Sequence, residues 1–375
     1  MNARTTILHL SLIDGVGPAT IAKIAAVLAN DDAAWLDLYT MMVSRLVELF
    51  AVTRAIAQKI ELGLQNNTVL TAELYLIHTY DISWTTVVDH DYPSLLSHIH
   101  TPPAVLYWRG ASLDALSAQS LAIVGSRRAN HYGQRIINKL VPPLVERNYT
   151  IISGGAVGAD TMAHRATVNW KGKTIVVLGA GLLRLYPSTN IKLFQDIVVA
   201  GGALVSIFPL TTDPVPGNFP ARNRVIAGLS QACIVVQAAV KSGAAITATY
   251  ALEQGRDVFA VPGPIDDELS AGCHALIKEG ATLLSDVADI VGYVSDQPVV
   301  TPLQQSSSAV PEQYRPAIMP SMASDPFLSF CDTPRSVDEL VLLSGTSFTD
   351  VQDKLFELQL DGLVAQDFTG MWTAR

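Results

Sequence analysis

Six short glycine-bearing segments punctuate the middle of this 375-residue chain, and four of them add Arg, Lys, Ser or Asn. They read Gly125-Ser126-Arg127-Arg128, Ser153-Gly154-Gly155-Ala156-Val157-Gly158, Gly179-Ala180-Gly181, Pro216-Gly217-Asn218-Phe219-Pro220-Ala221-Arg222-Asn223-Arg224, Lys241-Ser242-Gly243 and Pro262-Gly263-Pro264. Glycine lets a backbone approach an anion closely and supplies positive-φ turns. Ser126, Ser153 and Ser242 add hydroxyl donors. Arg127, Arg222, Arg224 and Lys241 add positive charge, and Arg suits bidentate phosphate contact. Together these residues can hold several anionic groups in a row. Taken singly, each glycine fits a tight turn equally well.

A short apolar run rich in Val and Ile precedes each segment: 121–125, 150–153, 174–179, 203–207, 232–236 and 257–261. Amphipathic stretches alternate with them at about 131–147, 158–169, 189–200, 221–230, 245–254 and 272–279. Runs without strict alternation are buried on both faces, as in a parallel sheet between helical layers. The expected fold class is therefore α/β, an open Rossmann-like and mostly parallel sheet. In such a sheet every strand ends on one edge, so all six segments face one crevice. Helix N-termini there present unpaired N–H groups and partial positive charge.

Familiar nucleotide motifs do not fit. Gly179-Ala180-Gly181 lacks the third glycine of GxGxxG, since position 184 is Arg, and Ile207-Phe208-Pro209 stands where a ribose-binding carboxylate belongs. That argues against a dinucleotide cofactor. Gly172-Lys173-Thr174 has Thr167 where a P-loop needs its first glycine, and it leads into a strand. His164, four residues after Asp160, fits a packed helix start better than a catalytic pair. His98 and His100 lack a third ligand, so no metal is expected. Nor does any nucleophile have a supporting base. The sequence predicts no enzyme and no cofactor.

The chain carries net charge −9, with 49% hydrophobic residues and three scattered cysteines. A uniformly basic nucleic-acid coat and a disulfide scaffold are both excluded. Charge is uneven, however: residues 111–256 carry 14 basic and 6 acidic side chains, net +8. An acidic chain with one basic segment indicates an anionic ligand. With no signal peptide and no membrane-length apolar run, a cytoplasmic protein without membrane contact is expected. Residues 297–324 hold five prolines and five serines but two charges, which reads as a linker. The expected division is a helical domain at 1–68, the α/β domain at 70–295, a flexible linker at 296–324 and a tail domain at 325–375. Leu12-Ile13-Asp14-Gly15-Val16-Gly17-Pro18 has the form of a helix-hairpin-helix turn. Two readings fit it: a phosphate-binding turn, or a plain turn in a packed domain. The tail patterns as helices at about 336–344 and 347–361, then strands near 363–365 and 371–372, a winged-helix order. Its net charge of −6 opposes duplex binding and favours protein contact.

The set VGSRR (124–128), SGGAVGAD (153–160), Tyr186-Pro187 with Asn190, NFPARNRVIAGLS (218–230), KSGAAITA (241–248) and VPGP (261–264) resembles the DNA-processing protein A family (DprA, also called Smf). Asp91-Tyr92-Pro93 and Pro103 to Gly110 match it as well. The resemblance covers about 1–295 closely and 325–375 loosely; NFPARNRVIAGLS is its most specific block. It implies a SAM-like N-terminal domain and a single-stranded DNA-binding protein of natural transformation. Such a protein protects incoming strands, loads the RecA recombinase and forms homodimers through the Rossmann-like domain. Carried over by position, Gly125, Ser126, Arg127, Ser153, Gly154, Gly155, Ala156, Arg222, Asn223, Arg224, Lys241, Ser242 and Gly243 form the DNA-binding set. Ile207, Ser188 and Val157 replace the family's usual Glu, Lys and Arg; the loss of that Lys and Arg implies weaker phosphate binding than in a typical member. The alternative, a nucleotide-processing hydrolase on a related scaffold, requires a PGGxGTxxE signature; Val261-Pro262-Gly263-Pro264 is the nearest approach.

Overall fold

The computed structural model describes residues 2–28, 31–290, 326–346 apart from two positions, and scattered positions between 351 and 374. It divides into two compact units, Met1–Val299 and Val300–Arg375. The first is built on a nine-stranded sheet: β1 (Ser83–Thr86), β2 (Val105–Gly110), β3 (Ser120–Val124), β4 (Thr150–Ser153), β5 (Thr174–Val177), β6 (Ala203–Ser206), β7 (Ala232–Val235), β8 (Asp257–Ala260) and β9 (Thr282–Leu283). The strand order is β1-β2-β6-β5-β4-β3-β7-β8-β9. From β6 to β9 every pairing is parallel. β2 runs antiparallel to β6, and β1 antiparallel to β2. The six predicted strands all form, with ends shifted by one or two residues. β1 and β2 extend the sheet beyond what the alternating pattern indicated.

Fourteen helices of this unit are described: α1 (Ala3–Ser11), α2 (Pro18–Leu28), α3 (Asp32–Asp37), α4 (Val43–Phe50), α5 (Arg54–Gln65), α6 (Thr68–Thr79), α7 (Ser94–Ser97), α8 (Leu113–Ser117), α9 (His131–Glu146), α10 (Ala159–Asn169), α11 (Ile191–Val199), α12 (Asn218–Gly228), α13 (Gly243–Glu253) and α14 (Glu268–Lys278). Side-chain alternation assigns them to layers. Leu121, Ile123, Ile151, Ile234 and Phe259 pack on one sheet face with Ile137, Leu140 and Leu144 of α9 and Ala163 of α10. Ala122, Val124, Ile152, Val235 and Ala260 pack on the other with Val225 and Ile226 of α12, Ala248 of α13 and Cys273 of α14. Val176 and Leu204 join Phe194 of α11 and the interior of α1–α6, including Ile7, Ile21, Trp35 and Ile60, in a third cluster. The N-terminal helices thus share a continuous core with the sheet.

Helix starts follow the capping chemistry. Asn130 accepts hydrogen bonds from the Tyr132 and Gly133 amides at the start of α9. Ser242 caps α13 and Asp267 caps α14. These caps set α14 four residues earlier than its apolar spacing indicated. Cys233, Cys273 and Cys331 are free and buried.

In the second unit, Pro326–Cys331 is a 3₁₀ turn, Val337–Ser344 a helix, and Val364–Gln366 pairs antiparallel with Trp372–Ala374. Cys331, Leu340, Val351, Leu355, Leu358, Val364 and Trp372 form its core. The predicted helix at 347–361 lies largely outside the described residues, and the predicted linker at 296–324 wholly outside them.

His164, on α10, is fully buried. Its Nδ1 lies 2.8 Å from Thr174 Oγ1, whose own proton goes to the Ile151 carbonyl, so Nδ1 carries a proton and donates. Burial, aided by the charge of Arg222, pushes its pKa from 6.5 down to about 3. Below pH 6.5 the unfolded chain binds a proton that the folded chain refuses until about pH 3. Stability from this group is therefore complete above pH 6.5 and falls with acid by up to about 1.4 kcal/mol per pH unit. Urea denaturation of the parent at pH 7 and pH 5 should show this loss, and His164→Gln should flatten it. Identical slopes for the two proteins would rule out His164 as the source.

Candidate nucleic-acid interface

The chain lays down β3, β4, β5 and β6 outward in one direction, then returns to place β7 on the other side of β3. At such a reversal the loops leaving neighbouring strands diverge and open a crevice at the strand C-termini. Here the hollow measures about 1640 Å³ including space open to solvent, with Ser126, Arg127, Arg128, Phe219, Asn223 and Lys241 among its walls. A smaller hollow of about 420 Å³ shares Arg127, Tyr186, Phe219 and Arg222 with it and adds Gly154, Val157 and Gly179.

The first loop is pinned from β7. The Ser126 amide donates to the Gln237 carbonyl at 2.6 Å. The Gln237 side chain accepts from the Asn130 amide at 3.1 Å and donates to Asn130 Oδ1 at 3.2 Å. Ser126 Oγ accepts from the Arg128 amide at 3.0 Å. A loop held at both ends presents Arg127 to solvent. Its guanidinium forms no ion pair among the described residues and lies 5.4 Å from the Phe219 ring centroid. Sequence reasoning missed Gln237. The available signal was an amide closing the buried run Ala232 to Val236, where backbone partners are scarce.

The second loop is organised around Arg222, which is only 4% exposed. Its Nη1 donates to the Gly154 and Val177 carbonyls, the latter at 2.9 Å. Asp160 Oδ2 accepts from the Gly154 and Ala156 amides, both at 3.2 Å. Burial pushes the Arg222 pKa down to about 10, opposed by Asp160 and reinforced by Arg127. Burial likewise raises the Asp160 carboxyl, opposed chiefly by Arg222. A Cβ at Gly154 would collide with the Arg222 guanidinium and approach Asp160 Oδ2 to 2.8 Å. Gly155 adopts φ +67°, and a side chain there would strike Val176 and Phe194. Asn190 Nδ2 braces the turn from behind, donating to the Gly155 carbonyl at 2.9 Å and to Thr161 Oγ1 at 2.7 Å.

The fifth loop supplies Lys241, exposed and without an ion pair among the described residues. Ser242 Oγ accepts from the Ala245 amide, so the first two amides of α13, Gly243 and Ala244, lack intrahelical acceptors. Asn223 Nδ2 donates to the Gly243 carbonyl at 3.2 Å and ties α12 to this start.

The two hollows thus bring together Gly125, Ser126, Arg127, Gly154, Ala156, Arg222, Asn223, Lys241, Ser242 and Gly243. Three expected members stand apart. Ser153 is buried, its hydroxyl donating to the Ile123 carbonyl at 2.7 Å. Gly155 sits behind the wall. Arg224 projects from the opposite side of α12 into a separate hollow with His100, Tyr250, Glu253 and Gln254, because two helical residues differ in direction by about 200°. Phe219 lies in the crevice, whereas Tyr132 does not line it and its hydroxyl bonds the Pro262 carbonyl. Tyr186, 47% exposed and 6.2 Å from Phe219, is a second aromatic wall. No group of three or more metal-binding side chains occurs among the described residues.

Fold and site together define an α/β protein with a cationic, amide-lined crevice at its topological switch point. The model of the family "DNA recombination-mediator protein A" matches residues 83–295, and the chain belongs to that family. Protein Smf of Synechocystis is 34% identical over 390 residues, covering 95% of each chain. The X-ray structure of DNA processing protein A from Streptococcus pneumoniae aligns with TM-score 0.67 at 33% identity, covering 78% of this chain and 98% of that one. DNA processing protein A from Helicobacter pylori, described for its single-stranded DNA binding mode, aligns with TM-score 0.51 at 29% identity, covering 57% and 95%. The family's description is that of a recombination mediator. No helix among the described residues is long and apolar enough to cross a membrane.

Arg222 and Arg127 should respond oppositely to truncation. Arg222→Met removes the positive charge that opposes the burial of Asp160 and takes a donor from the Gly154 and Val177 carbonyls, and should cost about 1–3 kcal/mol of unfolding free energy. Arg127→Ala removes an exposed side chain and should cost less than about 0.5 kcal/mol. Similar denaturation midpoints for the two variants would contradict the structural role of Arg222.

Proposed function

We propose that the crevice binds single-stranded DNA, with Arg127 and Lys241 as its principal phosphate contacts. The observation carrying this reading is that these two cations face one crevice without ion-pair partners among the described residues. The free amides at the start of α13 add anion-binding groups. Phe219 and Tyr186 offer rings on which bases can stack without regard to sequence. The Helicobacter relative's single-stranded DNA binding supports the same ligand for this chain. In this reading the protein works in the cytoplasm during natural transformation. It protects incoming strands, assembles as a homodimer and loads the RecA recombinase. The acidic tail, as a winged-helix domain, serves protein contact and not duplex readout, since phosphate binding requires the opposite charge.

Titration of a labelled oligothymidylate tests the site. Arg127→Ala should weaken binding about 10- to 100-fold, as expected for a charge-assisted hydrogen bond of about 1.5–3 kcal/mol. The slope of log affinity against log salt should shrink by about 0.7 for each phosphate left without its cation. Parent-like binding by Arg127→Ala and Lys241→Ala would refute the assignment. Phe219→Leu should lower affinity by about fivefold or more with an unchanged salt slope, because stacking releases no counterion.

A further inference from the structure

The first loop carries two adjacent arginines in different electrostatic states. Arg127 has no ion pair among the described residues. Arg128 lines the same crevice, yet its Nη2 lies 3.0 Å from Oε1 of Glu268. The two side chains are 68% and 70% exposed, so water competes fully for the pair. An exposed pair of this kind contributes at most about a fivefold factor. A phosphate diester offers the guanidinium a charge-assisted fork contact, and its neighbours along the strand add to the attraction.

The geometry lowers the cost of exchanging one anion for the other. The Arg128 amide is fixed by Ser126 Oγ, so only the side chain has to swing. Glu268 is the first residue of the eleven-residue α14, directly after the Asp267 cap. Its carboxylate therefore stays favoured at a helix N-terminus after the arginine leaves.

We infer that Arg128 is a further phosphate ligand, held by Glu268 in the free protein and transferred to the strand on binding. The inference rests on the crevice being the single-stranded DNA site. Glu268 then acts as an internal competitor that lowers affinity and damps its salt dependence, because the released carboxylate recruits a cation as the DNA sheds one.

The test is a titration of labelled oligothymidylate over a salt series. The variants are Glu268→Gln, Arg128→Ala, their combination, Asp266→Asn and Arg127→Ala. Glu268→Gln should bind about two- to fivefold tighter at low salt, with a slope steeper by up to about 0.7. In the Arg128→Ala background the same substitution should change nothing. Asp266→Asn removes a nearby charge without touching Arg128 and should give a smaller gain. The inference is overturned if Glu268→Gln leaves affinity unchanged, if its gain survives removal of the Arg128 side chain, or if Asp266→Asn matches it. Arg127→Ala separates the two levels. If it weakens binding while Glu268→Gln does nothing, only the exchange is wrong; if it too has no effect, the crevice reading has failed.

Discussion

A single buried guanidinium holds the rim of the crevice in shape. Arg222 bonds the carbonyls that end β4 and β5, and Asp160 beside it gathers the amides of the following turn. Four elements meet there: two strand ends, the start of α10 and the body of α12. A buried charge is costly unless nearby opposite charge and hydrogen bonds offset its lost hydration. Its presence therefore restricts the turn to conformations that place those carbonyls and Asp160 around it. Gly154 follows from the same constraint, since any side chain would occupy the guanidinium's space.

Positive charge in this protein consequently serves two purposes. Arg222 is desolvated and committed to the protein itself. Arg127 and Lys241 remain solvated and uncommitted among the described residues. The buried charge also disfavours protonation elsewhere: it helps hold His164 of α10 neutral. Rigidity under the rim and openness at its surface thus arise from positive charge in two dielectric environments.

Much of this was legible in the sequence. The alternation of Val/Ile runs with amphipathic segments gave the parallel strands and their order of appearance, and five of the six glycine-bearing loops line the crevice at their C-termini, Pro262-Gly263-Pro264 being the exception. Side-chain direction was harder. Arg222 and Arg224 differ by two positions on one helix and point to different sides, and Ser153 spends its hydroxyl inside the core. Loop composition does not encode these outcomes, because they depend on which partner each polar atom finds in three dimensions. β1 and β2 escaped for another reason: antiparallel additions need no crossover helix and leave no alternating signature. Gln237 closes a buried run, but its role was hard to read for want of a partner near in sequence; Asn130 lies 107 residues away.

The two margins of the nine-stranded sheet are blunt. On one side β9 is only two residues long. On the other, the outward carbonyl of Trp84 in β1 is occupied by the Arg4 side chain, whose guanidinium also covers the indole at 4.3 Å. Unpaired strand margins are where foreign strands add and aggregates grow. Margins finished in this way discourage sheet-to-sheet polymerisation and leave the crevice at the strand C-termini untouched.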